Sequence, residues 1–202
     1  SSGEAYATYL QGLVLNRKGD YDQATSTLER SLALTRKVGN ERQIIGPLNL
    51  MGDIACIKGN YDQAETFFTE ALQLSRRLGD RFNQAILLNN LSSVYHARNE
   101  SQAERKCLLE SLSICEEIGD QDGVAIAYNN LAEMCIQQGE YQLAIDYVEK
   151  GLFIANRINE EWTVIVSLNN LGEAYLRLQD PIKATDYLTK AIRLAWQVES
   201  LD

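Results

Sequence analysis

Along residues 61–78, Ala64, Phe67, Phe68, Ala71, Leu74 and Leu78 recur at steps of three and four. That spacing places side chains on one face of an α-helix. Leu87, Leu91, Val94 and Tyr95 continue it on the next segment, and the period is helical rather than alternating. The pattern breaks every 20 residues, at Lys18-Gly19-Asp20, Val38-Gly39-Asn40, Lys58-Gly59-Asn60, Leu78-Gly79-Asp80, Arg98-Asn99-Glu100, Ile118-Gly119-Asp120, Gln138-Gly139-Glu140, Ile158-Asn159-Glu160 and Leu178-Gln179-Asp180. In all but the last, a glycine or asparagine can take the left-handed conformation that ends a helix. In most, the following Asp or Asn can cap the next one. Ten helices are predicted, over about 4–18, 21–38, 41–58, 61–78, 81–98, 102–118, 121–138, 141–158, 161–178 and 181–198. Corners this short make consecutive helices antiparallel, so each pair is a helical hairpin stacked on the next.

A longer period runs above the helical one. Leu88-Asn89-Asn90-Leu91 returns as Tyr128-Asn129-Asn130-Leu131 and Leu168-Asn169-Asn170-Leu171, and in degraded form as Leu48-Asn49-Leu50-Met51, at intervals of 40 residues. Small residues follow the signature in register: Gly52, Ser92, Ala132 and Gly172. In the second helices Ala24, Ala64, Ala144 and Ala184 recur, and seven positions on come Ser31, Ala71, Ser111, Gly151 and Ala191. Bulky Leu28, Phe68, Leu108, Val148 and Leu188 fill the slot between. Small residues at a fixed repeat position let helices approach closely, with the bulky ones as their complement.

These residues resemble the tetratricopeptide repeat, whose pattern is Leu-Gly-x-x-Tyr in one helix and Ala, an aromatic or Leu, and Ala in the next. Leu171, Gly172, Tyr175, Ala184, Leu188 and Ala191 show it most fully, and the likeness runs in phase over residues 4–198. The repeat is longer than the usual 34 residues, and the proline that normally closes the second helix is absent, as in the family's long-repeat branch. The third repeat departs further. Asn99, Ser101 and Glu104 replace the usual glycine, tyrosine and alanine, and Ser101-x-x-Glu104 reads as a capping box that delays the helix by one residue. The resemblance implies an all-α fold, a right-handed α-solenoid of five antiparallel helix pairs wound into a superhelix. Ser1-Ser2-Gly3 is read as a tag remnant or linker outside the fold. Residues 4–202 are then a single array with repeats at about 4–40, 41–80, 81–120, 121–160 and 161–198.

The same resemblance places the first helix of each pair on a concave wall. Tyr6, Tyr9, Leu10, Leu13, Asn49, Leu50, Asp53, Ile86, Asn89, Asn90, Ser93, His96, Ile126, Asn129, Asn130, Glu133, Val166, Asn169, Asn170, Glu173 and Arg177 fall there. Asparagine is a mediocre helix former, so adjacent pairs in mid-helix ask for another reason. An Asn side chain both donates and accepts, and a ladder of Asn49, Asn89, Asn90, Asn129, Asn130, Asn169 and Asn170 could hold the backbone of an extended peptide. Ile86, Ile126 and Val166 would be apolar shelves, and Asp53, Glu133 and Glu173 would suit a basic segment. The competing reading has the asparagines bonding neighbouring helices and the carboxylates merely solvated.

Composition narrows the function classes. The net charge is −9 with a pI near 4.7, which argues against nucleic acid and anionic membranes as partners. Cys56, Cys107, Cys115 and Cys135 show no metal-ligand spacing and read as small buried thiols in a reducing, cytoplasmic setting. No metal or cofactor is expected. His96 is the only histidine, and no Gly-rich phosphate loop or HExxH occurs, so catalysis is not expected. The expected function is a protein-interaction scaffold binding a peptide or protein segment, as a regulatory or sensory module of a larger protein. The alternative is a self-association module: the last helix still carries Tyr187, Ile192 and Trp196, and repeat arrays normally end in a polar cap.

Overall fold

The computed structural model describes residues 1–199. Ten α-helices account for nearly all of them: α1 (Ser2–Arg17), α2 (Tyr21–Val38), α3 (Ile45–Ile57), α4 (Tyr61–Arg77), α5 (Arg81–Ala97), α6 (Ser101–Ile118), α7 (Gln121–Gln137), α8 (Tyr141–Ile158), α9 (Glu161–Arg177) and α10 (Pro181–Glu199). There is no strand among the described residues. The fold is all-α and built of helix pairs, as the 40-residue period implies.

Every corner but the one at Gly39 shares one mechanism. At the first, Asp20 N–H donates to Leu15 O at 3.0 Å and Gly19 N–H to Asn16 O at 3.0 Å, while Gly19 takes φ +81°. This paired closure satisfies carbonyls that the helix end leaves open. Corresponding pairs close α3 through Asn60 and Gly59, α5 through Glu100 and Asn99, and α7 through Glu140 and Gly139. Three corners hold a non-glycine residue at positive φ: Asn99, Asn159 and Gln179, the last at 62°. Side-chain capping is sparser than expected. Asp80, Asp120 and Asp180 accept from the N–H three residues on, whereas Asp20, Asn40 and Asn60 make no such bond.

Three starts differ from expectation. α1 begins at Ser2, with Ser1 as N-cap in a capping box with Glu4, so residues 2 and 3 belong to the helix. The helix expected over 41–58 is preceded by a 3-10 turn, Glu41–Ile44, before α3 starts at Ile45. Pro47 supplies the reason: it has no N–H for the Gln43 carbonyl and its ring crowds that carbonyl. The Ser101/Glu104 capping box is not what sets α6, which starts at Ser101, in register with α2 and α4. Glu104 is instead buried, with Oε1 2.9 Å from Nδ1 of His96.

The chain packs as two compact units, residues 1–107 and residues 108 onward, the division falling within α6. In the first, Leu28, Leu48, Ile54, Phe68, Leu87 and Leu88 are almost wholly buried. Close approach within hairpins rests on glycine. A Cβ at Gly52 would collide with the Phe68 ring, and one at Gly12 would lie 2.7 Å from Leu28 Cδ2. The corner residues add ion pairs between repeats, Lys58 to Asp22 at 2.6 Å and Arg98 to Glu65 at 2.6 Å and to Asp62. In the second unit, Ile165, Leu168 and Ala191 form a core, with Leu152, Tyr187, Leu194 and Val198 packed against it. Gly172 repeats the close approach, 2.6 Å from Leu188 to a hypothetical Cβ.

Gln179 pays the left-handed penalty that glycine avoids, roughly 1–2 kcal/mol for a residue with a Cβ. Gln179→Gly is expected to raise the unfolding free energy by about 1 kcal/mol, seen as a higher urea midpoint at unchanged slope. No rise would mean that the Gln179 side chain recovers the cost elsewhere.

Candidate functional site

In the first unit the first helices α1, α3 and α5 lie beside one another, with α3 between the other two. Helical spacing sets Asn49 and Asp53 one turn apart on α3, and Asn90 of α5 meets both. Its Nδ2 donates to Asn49 Oδ1 at 2.9 Å and to Asp53 Oδ1 at 3.3 Å. Asp53 is mostly buried, and no cationic side chain pairs with it among the described residues. Desolvation pushes its carboxyl up from the ordinary 3.8 to about 6. Its field reaches two neighbours: the Tyr9 hydroxyl and the Cys56 thiol are both raised chiefly by burial, and Asp53 adds to each.

Beside this cluster is a cavity of about 180 Å³, lined by Ala5, Tyr6, Tyr9, Ser31, Thr35, Arg42, Gln43, Gly46 and Pro47. Gly46 stands where the later repeats carry Ile86, Ile126 and Val166. A Cβ there would come within 3.1 Å of the Tyr9 ring. The missing side chain leaves room for Tyr9 and opens the slot, whose lining is mainly apolar. Most of these residues escaped the reading of the sequence. The visible signal was the glycine at a position that the three later repeats fill with β-branched residues.

Elsewhere in the first unit Ile86, Asn89 and His96 are half-buried and Ser93 is exposed. Tyr6 and Leu10 on α1 are exposed, and Leu50 is buried. His96 is engaged with Glu104 across α5 and α6, which removes the one histidine from any arrangement on the solvent side.

The second unit treats its asparagines differently. Asn129 is 2% exposed, and its Oδ1 accepts from Ser167 Oγ at 3.0 Å. That corrects the expectation of a solvent-facing amide: Asn129 is part of the contact between α7 and α9, and its Nδ2 finds no hydrogen-bond partner among the described residues. Asn170 Nδ2 donates back to the Asn129 carbonyl at 3.3 Å. Asn130 and Val166 are half-buried, whereas Asn169, Ile126, Glu133 and Glu173 are exposed. Glu173 pairs with Arg177 at 3.3 Å. The asparagines thus do tie first helix to first helix, Asn90 to Asn49 and Asn170 to Asn129, while Asn169 stands free toward solvent. On α10, Ile192 and Trp196 are exposed, and half-buried Tyr187 stacks on Tyr175 at 5.5 Å.

Among the described residues there is no cluster of three or more metal-ligating side chains, and no helix is long and apolar enough to cross a membrane.

A family model described as tetratricopeptide repeat matches residues 43–117, 105–157 and 123–195, and a second of the same description matches residues 4–42. No curated protein matches the chain in sequence. Among solved structures it is similar to BtubC (BKLC) from P. vanneervenii, with TM-score 0.85 at 20% identity over 98% of this chain and 82% of that one. It is also similar to a Signal Transduction ATPase with Numerous Domains from Pyrococcus horikoshii, which has a tetratricopeptide repeat sensor. There the TM-score is 0.84 at 17% identity, over 98% of this chain and 30% of the other. A Rap protein complexed with Competence and Sporulation Factor gives 0.76 at 12% identity, covering all of this chain and 66% of that one.

A carboxyl raised from 3.8 to about 6 binds its proton more tightly in the folded state than in the unfolded one. Its contribution to stability is therefore complete below pH about 4 and lost as pH rises through about 6. Asp53→Asn keeps an acceptor for Asn90 and removes the charge. The variant is expected to be more stable than wild type at pH 7.5 by roughly 1–3 kcal/mol, and equal to it near pH 4, by chemical denaturation. Lower stability at pH 7.5 would show that the carboxylate is satisfied inside the fold.

Proposed function

The chain belongs to the tetratricopeptide repeat family, and from that premise we propose that it is a non-catalytic scaffold holding a peptide or protein segment against its first helices. Proteins of this fold generally mediate protein–protein interactions. The observation that carries the reading is Asp53. A largely buried carboxylate with no cationic partner costs folding energy, and the Asn90 amide at 3.3 Å is a neutral donor that offsets only part of that cost. A cationic side chain brought by a partner would. It would meet the carboxylate beside two asparagine amides, with the neighbouring slot open to an apolar side chain.

The reading assigns different tasks to the predicted residues. Asp53 provides charge recognition. Asn49 and Asn90 hold one another and Asp53 in place, and their remaining donor and acceptor capacity faces the ligand. Ile86 and Asn89 extend the same face on α5. In the second unit, taken by itself, Ile126, Asn130, Glu133, Val166, Asn169, Asn170 and Glu173 are the candidate contacts on α7 and α9. Two of the similar proteins support the reading: the Rap structure is of a complex, and the Pyrococcus horikoshii protein uses its repeats as a sensor. A sensory or regulatory module, operating where thiols stay reduced, fits that comparison.

The test is an array of extended peptides carrying lysine, arginine or norleucine at one central position, followed by fluorescence anisotropy on the peptides that bind. Cationic peptides are expected to dominate, and Asp53→Asn to weaken them about tenfold or more. Equal binding of the norleucine series, unchanged in Asp53→Asn, would remove Asp53 from the site.

A further inference from the structure

The slot and Asp53 share one face of α3. Gly46, which opens the slot, and Asp53 are seven residues apart, close to two helical turns, so they stand in line about 10.5 Å from each other along the axis. Tyr9 links them from α1: its ring stands over Gly46, and its hydroxyl feels the Asp53 charge. Asn49 lies between, one turn from each. Its Oδ1 accepts from Asn90, whereas its Nδ2 donates to nothing among the described residues. The hydroxyls in the slot wall are engaged, Ser31 donating to Ala5 O and Thr35 to Ser31 O, both at 2.8 Å. Gln43 Oε1 accepts from Ser2 Oγ at 3.0 Å. The space inside therefore suits an apolar group. Arg42, at the end of the slot away from Asp53, has no ion-pair partner among the described residues.

We propose that the segment bound here is a polyproline II stretch with an apolar residue three positions from a lysine or arginine. The apolar side chain fills the slot and the cation meets Asp53, so the inference rests on the reading of Asp53 given above and narrows it. Geometry selects the spacing. In polyproline II, residues three apart share a face and stand about 9.3 Å from each other. In a β-strand the residues that share a face are two or four apart, at about 6.7 or 13.5 Å, too short or too long for this pair. Polyproline II also leaves its backbone carbonyls unpaired. The open Asn49 Nδ2 lies midway, where a carbonyl of the spacer passes. Arg42 fixes the polarity: a cation at the slot end would be repelled, and one at the other end is attracted.

Fluorescence anisotropy tests this with peptides bearing one lysine and one leucine in a proline–alanine background. The leucine stands two, three or four positions from the lysine, in both chain directions, and seven positions away in an alanine background that allows a helix. Spacing three is expected to bind about tenfold more tightly than two or four. Replacing a Pro-Pro spacer by Gly-Gly should weaken it about threefold or more, because the ordering is then lost. Gly46→Ile fills the slot with the residue of later repeats and should erase the advantage of spacing three. Tyr6→Ala removes a half-exposed wall residue and should reduce that advantage even if Gly46→Ile disturbs Tyr9. In both variants the preference for lysine through Asp53 should persist. A flat spacing series, an optimum at two, four or seven, or an advantage untouched by both variants overturns the proposal. The Asp53 reading then still stands if lysine is preferred and Asp53→Asn abolishes the preference. No preference for lysine in the wild type removes both.

Discussion

The close approach of two helices at a glycine is the contact on which the rest depends. At Gly12 against Leu28, Gly52 against Phe68 and Gly172 against Leu188, a Cβ would overlap the facing side chain. A bulky residue seated over a bare backbone fixes the rotation of the first helix against the second. With that rotation set, every residue of the first helix has its direction: one side into the hairpin, one toward adjacent first helices, and one to solvent. Asn49 and Asp53 on α3 and Asn169 and Asn170 on α9 take their directions from these contacts, while on α5 and α7 Ser92 and Ala132 stand at the glycine position.

That arrangement sets two demands against each other on the first helices. Adjacent helices need polar groups on their shared border to be satisfied, and a recognition surface needs polar groups left open. Asn90 serves the first demand by donating to Asn49 and Asp53. Asn129 serves it through its oxygen, which accepts from Ser167, while its buried Nδ2 has no partner among the described residues. Asp53 is the residue on which the demands do not balance. It is desolvated by its neighbours and supplied with only an amide. A carboxylate in that state lowers the stability of the fold, which is the usual signature of a group retained for binding.

The helices and corners were legible in the sequence because their signals are local. A left-handed residue every 20 positions and an apolar stripe between require no knowledge of tertiary contacts. Gln179 shows how far the frame dominates: it takes the left-handed conformation that its eight counterparts reach with glycine or asparagine. What failed depended on neighbours distant in the chain. Ser101 and Glu104 have the spacing of a capping box, yet Glu104 turns to His96 on the preceding helix. Asn129 and Asn130 are adjacent and identical in type, and one step round the helix turns Asn129 into the contact with Ser167 while Asn130 stays half-buried. The slot beside Tyr9 was visible only as a glycine at Gly46, a residue type that is usually read as a turn.

The proposed site requires Asp53 to be desolvated and without an internal cation. The direct measurement is a pH titration of its side-chain carboxyl carbon by NMR, assigned by comparison with Asp53→Asn. A midpoint of about 6 is expected. A midpoint near the ordinary carboxylate value of about 3.9 would mean that the group is solvated or already paired, and the proposed site would lose its basis.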